Sequence, residues 1–257
     1  MNTTTDYYAW VEGWTKEQGL PPEAAPLLLF GAPALILLLL LILFFTLFAG
    51  KSKARNTILL LGPSGSGKTA LFFRLKEGKV VETHTSMKEN DSSFALHSDK
   101  KGRPVHVIDF PGHQRLRSQL HTFLPLAKGI VFLTDATEFK SEVSKAARYL
   151  FDLFGDKQIQ SRKVPFLIVC NKTEMITAAP KDDIQRGLEE EIDQLRKSQS
   201  TMEDIGGSSA EERRVAVGVE GEAFKMEQLP FPVSFVECSV KQGDILPIEQ
   251  FIRKLIP

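Results

Sequence analysis

The stretch TILLLGPSGSGKTALFFRL, Thr57 to Leu75, constrains the fold of this 257-residue chain more than any other part of it. TILLL, four apolar residues after a threonine, reads as a buried strand, a glycine-rich turn follows, and TALFFRLKEG reads as a helix closed by Gly78. The turn fits G-x-x-x-x-G-K-[ST] at Gly62, Gly67, Lys68 and Thr69, a pattern that carries phosphate chemistry when a strand precedes it and a helix follows. Glycines let successive backbone N–H groups crowd around phosphate oxygens, and the helix N-terminus adds partial positive charge. The candidate binding set is Gly62, Pro63, Ser64, Gly65, Ser66, Gly67, Lys68, Thr69 and Ala70. Lys68 would bridge the terminal phosphates and the Thr69 hydroxyl would ligate Mg²⁺. The competing reading is a glycine-rich turn with no ligand.

A phosphate loop does not choose its base, but three later motifs do. VHVIDFPGH is a strand ending in Asp109, with Gly112 three residues on and His113 after it. Placed one strand after the loop, the Asp109 carboxylate can hold Mg²⁺ and the Gly112 N–H can bond a γ-phosphate and sense its loss. FLIVCNKTE ends another apolar strand with Asn171, Lys172 and Glu174, close to the guanine-reading pattern N-K-x-D. Glu174 stands one methylene longer than the usual Asp, yet keeps a carboxylate for the paired donors of guanine, which adenine lacks. VSFVECSVKQG then supplies Ser239, Val240 and Lys241 in the place of an S-A-K loop backing the base.

Four motifs in this order resemble the small GTPase superfamily from about Thr57 to the end of the chain. That resemblance implies GTP or GDP with Mg²⁺ as ligands. Between the motifs, strand-like runs alternate with helical stretches, the pattern of a mainly parallel α/β sheet covered by helices on both faces. Ligands of such sheets sit at the carboxyl ends of the strands, where all four motifs fall.

Composition narrows the field elsewhere. Lys plus Arg equals Asp plus Glu at 32 each, so no direct nucleic-acid binding is expected. The two cysteines, Cys170 and Cys238, end apolar runs and form no metal or disulfide pattern. DDIQRGLEEEIDQLRKS places Ile184, Leu188, Ile192 and Leu195 on one stripe of a structural surface helix. From about residue 199 to 228 the chain turns polar and glycine-rich and reads as a flexible insertion in the domain 57–257.

Upstream, Leu27 to Ala49 runs without a charge, enough helix to reach roughly 34 Å at about 1.5 Å per residue and so to cross a bilayer. The arm 1–26 carries four acidic residues against Lys16, unlike the basic start of a cleaved signal. Lys51, Lys53 and Arg55 follow the span, which predicts a cytosolic domain and an N-terminus across the membrane. The linker 50–56 reaches at most about 25 Å, so the domain must work near the bilayer.

The anchor directly before the phosphate loop, THTSM, FPGHQRLRSQL, LEEEIDQLRKS and ECSVKQG together resemble the Arf-like beta subunits of the signal recognition particle receptor. That resemblance implies residence in the endoplasmic reticulum membrane, a heterodimer with the receptor's alpha subunit, and an indirect link to ribosome–nascent chain complexes. It implies two switch regions, about Thr83–Asp91 and Phe110–Leu126, as the partner surface. Thr85, with Ser86 beside it, is the candidate to close over Mg²⁺, Thr83 being the alternative. His113 takes the place of the water-positioning glutamine, and Ser64 would crowd an incoming arginine finger, so slow hydrolysis is expected. A nucleotide-locked structural anchor, another anchored Arf-like GTPase of vesicle traffic, or a P-loop kinase or ATPase are the rival readings.

Overall fold

The computed structural model describes residues 9–10, 13–14, 16–17, 19, 37–41, 56–81, 88–203 and 215–256. The chain divides into two units, Met1–Ala54 and Arg55–Pro257. In the first, Leu37–Leu41 are helical and exposed. Among the described residues no helix is long and apolar enough to cross a membrane. The rest of the expected span, residues 27–36 and 42–49, lies outside the described residues.

The second unit alternates strand and helix: β1 (Thr57–Leu61), α1 (Lys68–Glu77), β2 (Asn90–Phe94), β3 (Val105–Asp109), β4 (Ala127–Asp135), α2 (Phe139–Phe154), α3 (Lys157–Arg162), β5 (Phe166–Asn171), α4 (Lys181–Glu203), β6 (Val233–Glu237) and α5 (Leu246–Leu255). Two 3₁₀ stretches, Gln114–Thr122 and Leu124–Leu126, connect β3 to β4. The sheet runs β2-β3-β1-β4-β5-β6. All neighbours are parallel except β2, which pairs antiparallel to β3 with Asn90 opposite Asp109.

Strand alternation sends side chains of β1 to two separate cores. Leu59 and Leu61 join Phe132, Tyr149, Phe154, Phe166, Ile184, Leu188 and Ile192 under α2 and α4. Ile58 and Leu60 join Leu71, Leu75, Ile248 and Ile252 under α1 and α5. Each fully buried Leu, Ile or Phe contributes about 1.5–3 kcal/mol relative to exposure, so both faces are needed to hold the sheet. The α4 stripe is as the spacing predicts: Ile184, Leu188 and Ile192 are buried and Leu195 is partly so. Cys170 and Cys238 are buried and free, adjacent through the Cys238 N–H to Cys170 O bond at 2.9 Å. Burial pushes both thiols up to about 12.

One expectation changes. The helix continues through residues 199–203, and residues 215–228, expected in a flexible insertion, are mostly exposed but anchored to the domain at three side chains. Val217, Phe224 and Met226 are buried. Two carboxylates of α4 hold this return segment: Glu189 accepts from Lys225 Nζ at 2.7 Å and Met226 N at 3.3 Å, and Asp193 accepts from Phe224 N at 3.0 Å. Residues 204–214 lie outside the described residues.

Candidate nucleotide site

The loop from β1 to α1 has the backbone its sequence requires. Gly62, Gly65 and Gly67 have positive φ, and Gly67 caps α1 without any side-chain bond. The first turn of α1 holds no acidic residue, so its N–H groups and dipole remain available to an anion. A Cβ on Gly62 would collide with the Leu133 carbonyl, and one on Gly67 with the Asn171 amide, so only glycine allows these approaches.

Lys68 is buried, with Nζ donating to Pro63 O at 2.7 Å. Burial lowers its pKa to about 8; nearby Asp109 opposes this and Arg117 adds to it. Thr69 Oγ1 donates to Asp109 Oδ2 at 2.7 Å, and Asn90 Nδ2 donates to the same oxygen at 2.8 Å. Burial raises the Asp109 carboxyl, against the bonds from Asn90 and Thr69 and the charge of Lys68. Its Oδ1 is buried without a partner, an expensive state that a divalent cation beside the Thr69 hydroxyl would relieve. The donor set therefore fits Mg²⁺, a hard cation that takes oxygen ligands.

Gly112 lies against the phosphate loop: a Cβ there would stand 2.5 Å from Ser64 N and 2.7 Å from Gly62 O. Beside it, a cavity of about 480 Å³ is lined by Ser64, Gly112, His113, Arg117 and Arg148. His113 is exposed, and its Nδ1 accepts from Arg115 N at 3.3 Å as the cap of the 3₁₀ stretch. Arg117 lies over the Tyr149 ring, 3.9 Å from its centroid.

At the other end of the cradle the third and fourth motifs lock onto the first. Asn171 is buried; its Nδ2 donates to Ser66 O at 2.8 Å and its Oδ1 accepts from Val240 N at 3.1 Å. Its amide thus braces the phosphate loop against the Ser239–Val240 loop. Ser239 Oγ donates to Glu174 Oε2 at 2.6 Å and accepts from Gln242 N at 3.1 Å. Thr173 Oγ1 donates to Cys238 O at 2.9 Å, tying the same two loops again. Lys172 takes a left-handed φ of 70°, about 1–2 kcal/mol unfavourable for a residue with a Cβ, and its ammonium pairs with Asp135. Burial pushes the Asp135 carboxyl up, but Lys172 and the hydroxyl and amide of Thr137 outweigh it and hold it below the usual range.

The sequence matches the family model of the signal recognition particle receptor beta subunit over residues 53–233. The chain belongs to the signal recognition particle receptor beta-subunit family. The human signal recognition particle receptor subunit beta is 33% identical over 238 residues, covering 90% of this chain and 87% of that relative. The solved structure of the mammalian SRP receptor superposes with a TM-score of 0.67 and 32% identity, over 77% of this chain and 99% of that one. A Chaetomium thermophilum structure titled SRb-GDP-Mg matches with a TM-score of 0.58 and 26% identity, over 77% of this chain and 95% of that one. The fold is that of an Arf-like GTPase.

In this beta-subunit chain Gly62 to Ala70, Asp109, Gly112, His113, Asn171, Lys172, Glu174, Ser239 and Val240 all gather at the carboxyl edge of the sheet. Thr83, Thr85 and Ser86 lie outside the described residues. Two participants have no motif of their own. Asp135 is the last residue of β4, a position at the carboxyl edge that could have marked it; Asn90 reaches Asp109 only through the antiparallel register of β2, which no local pattern encodes.

Proposed function

We propose that this chain is the membrane-anchored beta subunit of the signal recognition particle receptor, binding GTP or GDP with Mg²⁺ and holding the alpha subunit at the endoplasmic reticulum. The observation that carries it is the interlocked cradle, in which Asn171 joins the phosphate loop to the Ser239–Val240 loop while Asp109 keeps an unpartnered oxygen beside Thr69. Lys68 and the open amides of α1 would neutralise the phosphates, and Glu174, positioned by Ser239, would accept from guanine. Thr69 and Asp109 would hold Mg²⁺, which supplies charge neutralisation at the phosphates when bound. Thr85 would complete the metal shell from the first switch.

The apolar run Leu27–Ala49 serves as the anchor, with residues 1–26 lumenal and the GTPase domain cytosolic, where the alpha subunit would bring it ribosomes carrying nascent chains. His113 would orient water, and hydrolysis is slow because its ring stands at the rim, engaged by Arg115 N. That same placement favours a second reading, a nucleotide-locked anchor that does not turn over. The test is a pull-down from detergent-solubilised microsomes with the fragment beginning at Lys51, loaded with a non-hydrolysable GTP analogue or GDP. Capture of the alpha subunit with the analogue alone supports the switch; equal capture in both states supports the locked anchor; none in either overturns the assignment of partner.

A further inference from the structure

The end of the domain opposite the nucleotide has a charge pattern of its own. Parallel pairing puts the starts of β1, β3 and β4 at that end, with Thr57 beside His106 and Ala127, so the chain enters the domain there. Three segments meet next to it. The end of α1 joins the β2–β3 connection through His97 N to Leu75 O at 2.8 Å, and Gly78 packs on the His97 ring. The end of α5 joins the same connection through Arg253 Nη2 to Ser98 Oγ at 3.0 Å.

These segments display Lys79, Lys100, Lys101, Arg103, Arg253 and Lys254, all exposed, with Glu77 and Asp99 as the acidic residues interspersed. Among the described residues none of the six takes part in an ion pair. In a chain whose charges balance overall, this concentration is local.

We infer that this basic end is a docking face for anionic phospholipid headgroups. The inference rests on the anchor proposed above: the linker 50–56 can span at most about 25 Å, and it joins the domain at this end. In the sequence, Lys51, Lys53 and Arg55 add three more basic residues between this end and the proposed anchor. Lys and Arg near an anionic leaflet each improve partition on the order of fivefold, and the effect decays within a Debye length of about 8 Å in physiological salt. A tether of at most about 25 Å keeps the face close enough to reach that range, and docking there turns the nucleotide edge of the sheet away from the lipid.

The test uses the fragment Arg55–Pro257, which contains both hydrophobic cores entire and so folds without the N-terminal unit. It is floated with vesicles of phosphatidylcholine alone or with phosphatidylserine added. Binding at least about tenfold stronger to the anionic vesicles, lost in high salt and lost in K100E/K101E/R103E, is expected. A second variant, K79E/K254E, should weaken it too, and nucleotide retention by both variants shows that they are folded. Equal binding to the two vesicle types, or undiminished binding by the folded variants, overturns the inference. So does loss in the variants of affinity for a single-stranded RNA probe with vesicle binding unchanged. Alkaline extraction of the full chain from microsomes tests the anchor separately: a chain that stays in the membrane, with a fragment indifferent to phosphatidylserine, sinks the docking face alone.

Discussion

The β5–β6 side of the cradle and its β3 side solve different problems. On the first, the Asn171 amide, the Ser239 hydroxyl and the Thr173 hydroxyl are all bonded into neighbouring loops, and Lys172 is fixed to Asp135. On the second, Ser64 and His113 stand exposed around a cavity, and Gly112 meets the phosphate loop by backbone contact. A base can be recognised by groups already in place, which lowers the ordering cost of binding. A γ-phosphate that must be sensed, and a partner that must read the result, need parts left free to move.

Substitutions on the two sides should therefore differ in kind. The largest effect is expected from Asn171→Ala, which leaves Ser66 O and Val240 N buried without their partner: about 2–4 kcal/mol of stability lost in urea unfolding, with nucleotide lost on purification. Gly112→Ala comes next. Its Cβ would press on the backbone of Ser64 and Gly62, costing about 1–3 kcal/mol, and calorimetry should show GTP-analogue affinity falling more than GDP affinity.

Asp135→Asn should cost about 1 kcal/mol near neutral pH. The Asp135 carboxyl is held below its unfolded value of about 3.9, so its contribution is complete above that pH and fades as pH falls through the folded value. The gap between wild type and variant should accordingly shrink below about pH 4; a gap that stays constant would mean the Lys172 pairing is not its source. The smallest structural effect belongs to His113→Ala, within about 0.5 kcal/mol in stability, while single-turnover hydrolysis slows if the ring orients water. An equal decline in stability at His113 and Asn171 would erase the contrast between the two sides.

The parts of this design that the sequence displays are the local ones. A strand run, a glycine turn and a helix lie within twenty residues of each other, so Gly62 to Thr69 could be placed at the carboxyl edge before any contact was known, and the Ile184–Leu188–Ile192 stripe fixed the face of α4. What could not be read depends on distant partners. The order in residues 215–228 comes from Glu189 and Asp193, carboxylates that share α4 with the apolar stripe and look like solvated surface until Lys225 and Phe224 arrive. Asn171 reads as a base contact by motif, yet its bracing role needs the Ser66 carbonyl, 105 positions away. Asn90 acquires its place from strand register alone.

The pair Cys170 and Cys238 has a practical consequence for spectroscopy. With both thiols buried and burial holding their ionisation far above the ordinary thiol range, little thiolate forms at neutral pH, and reagents that need thiolate will pass them by. A single cysteine introduced on the exposed turn at Lys100 can then carry a maleimide dye or spin label by itself, without first removing the native pair from beneath the nucleotide cradle.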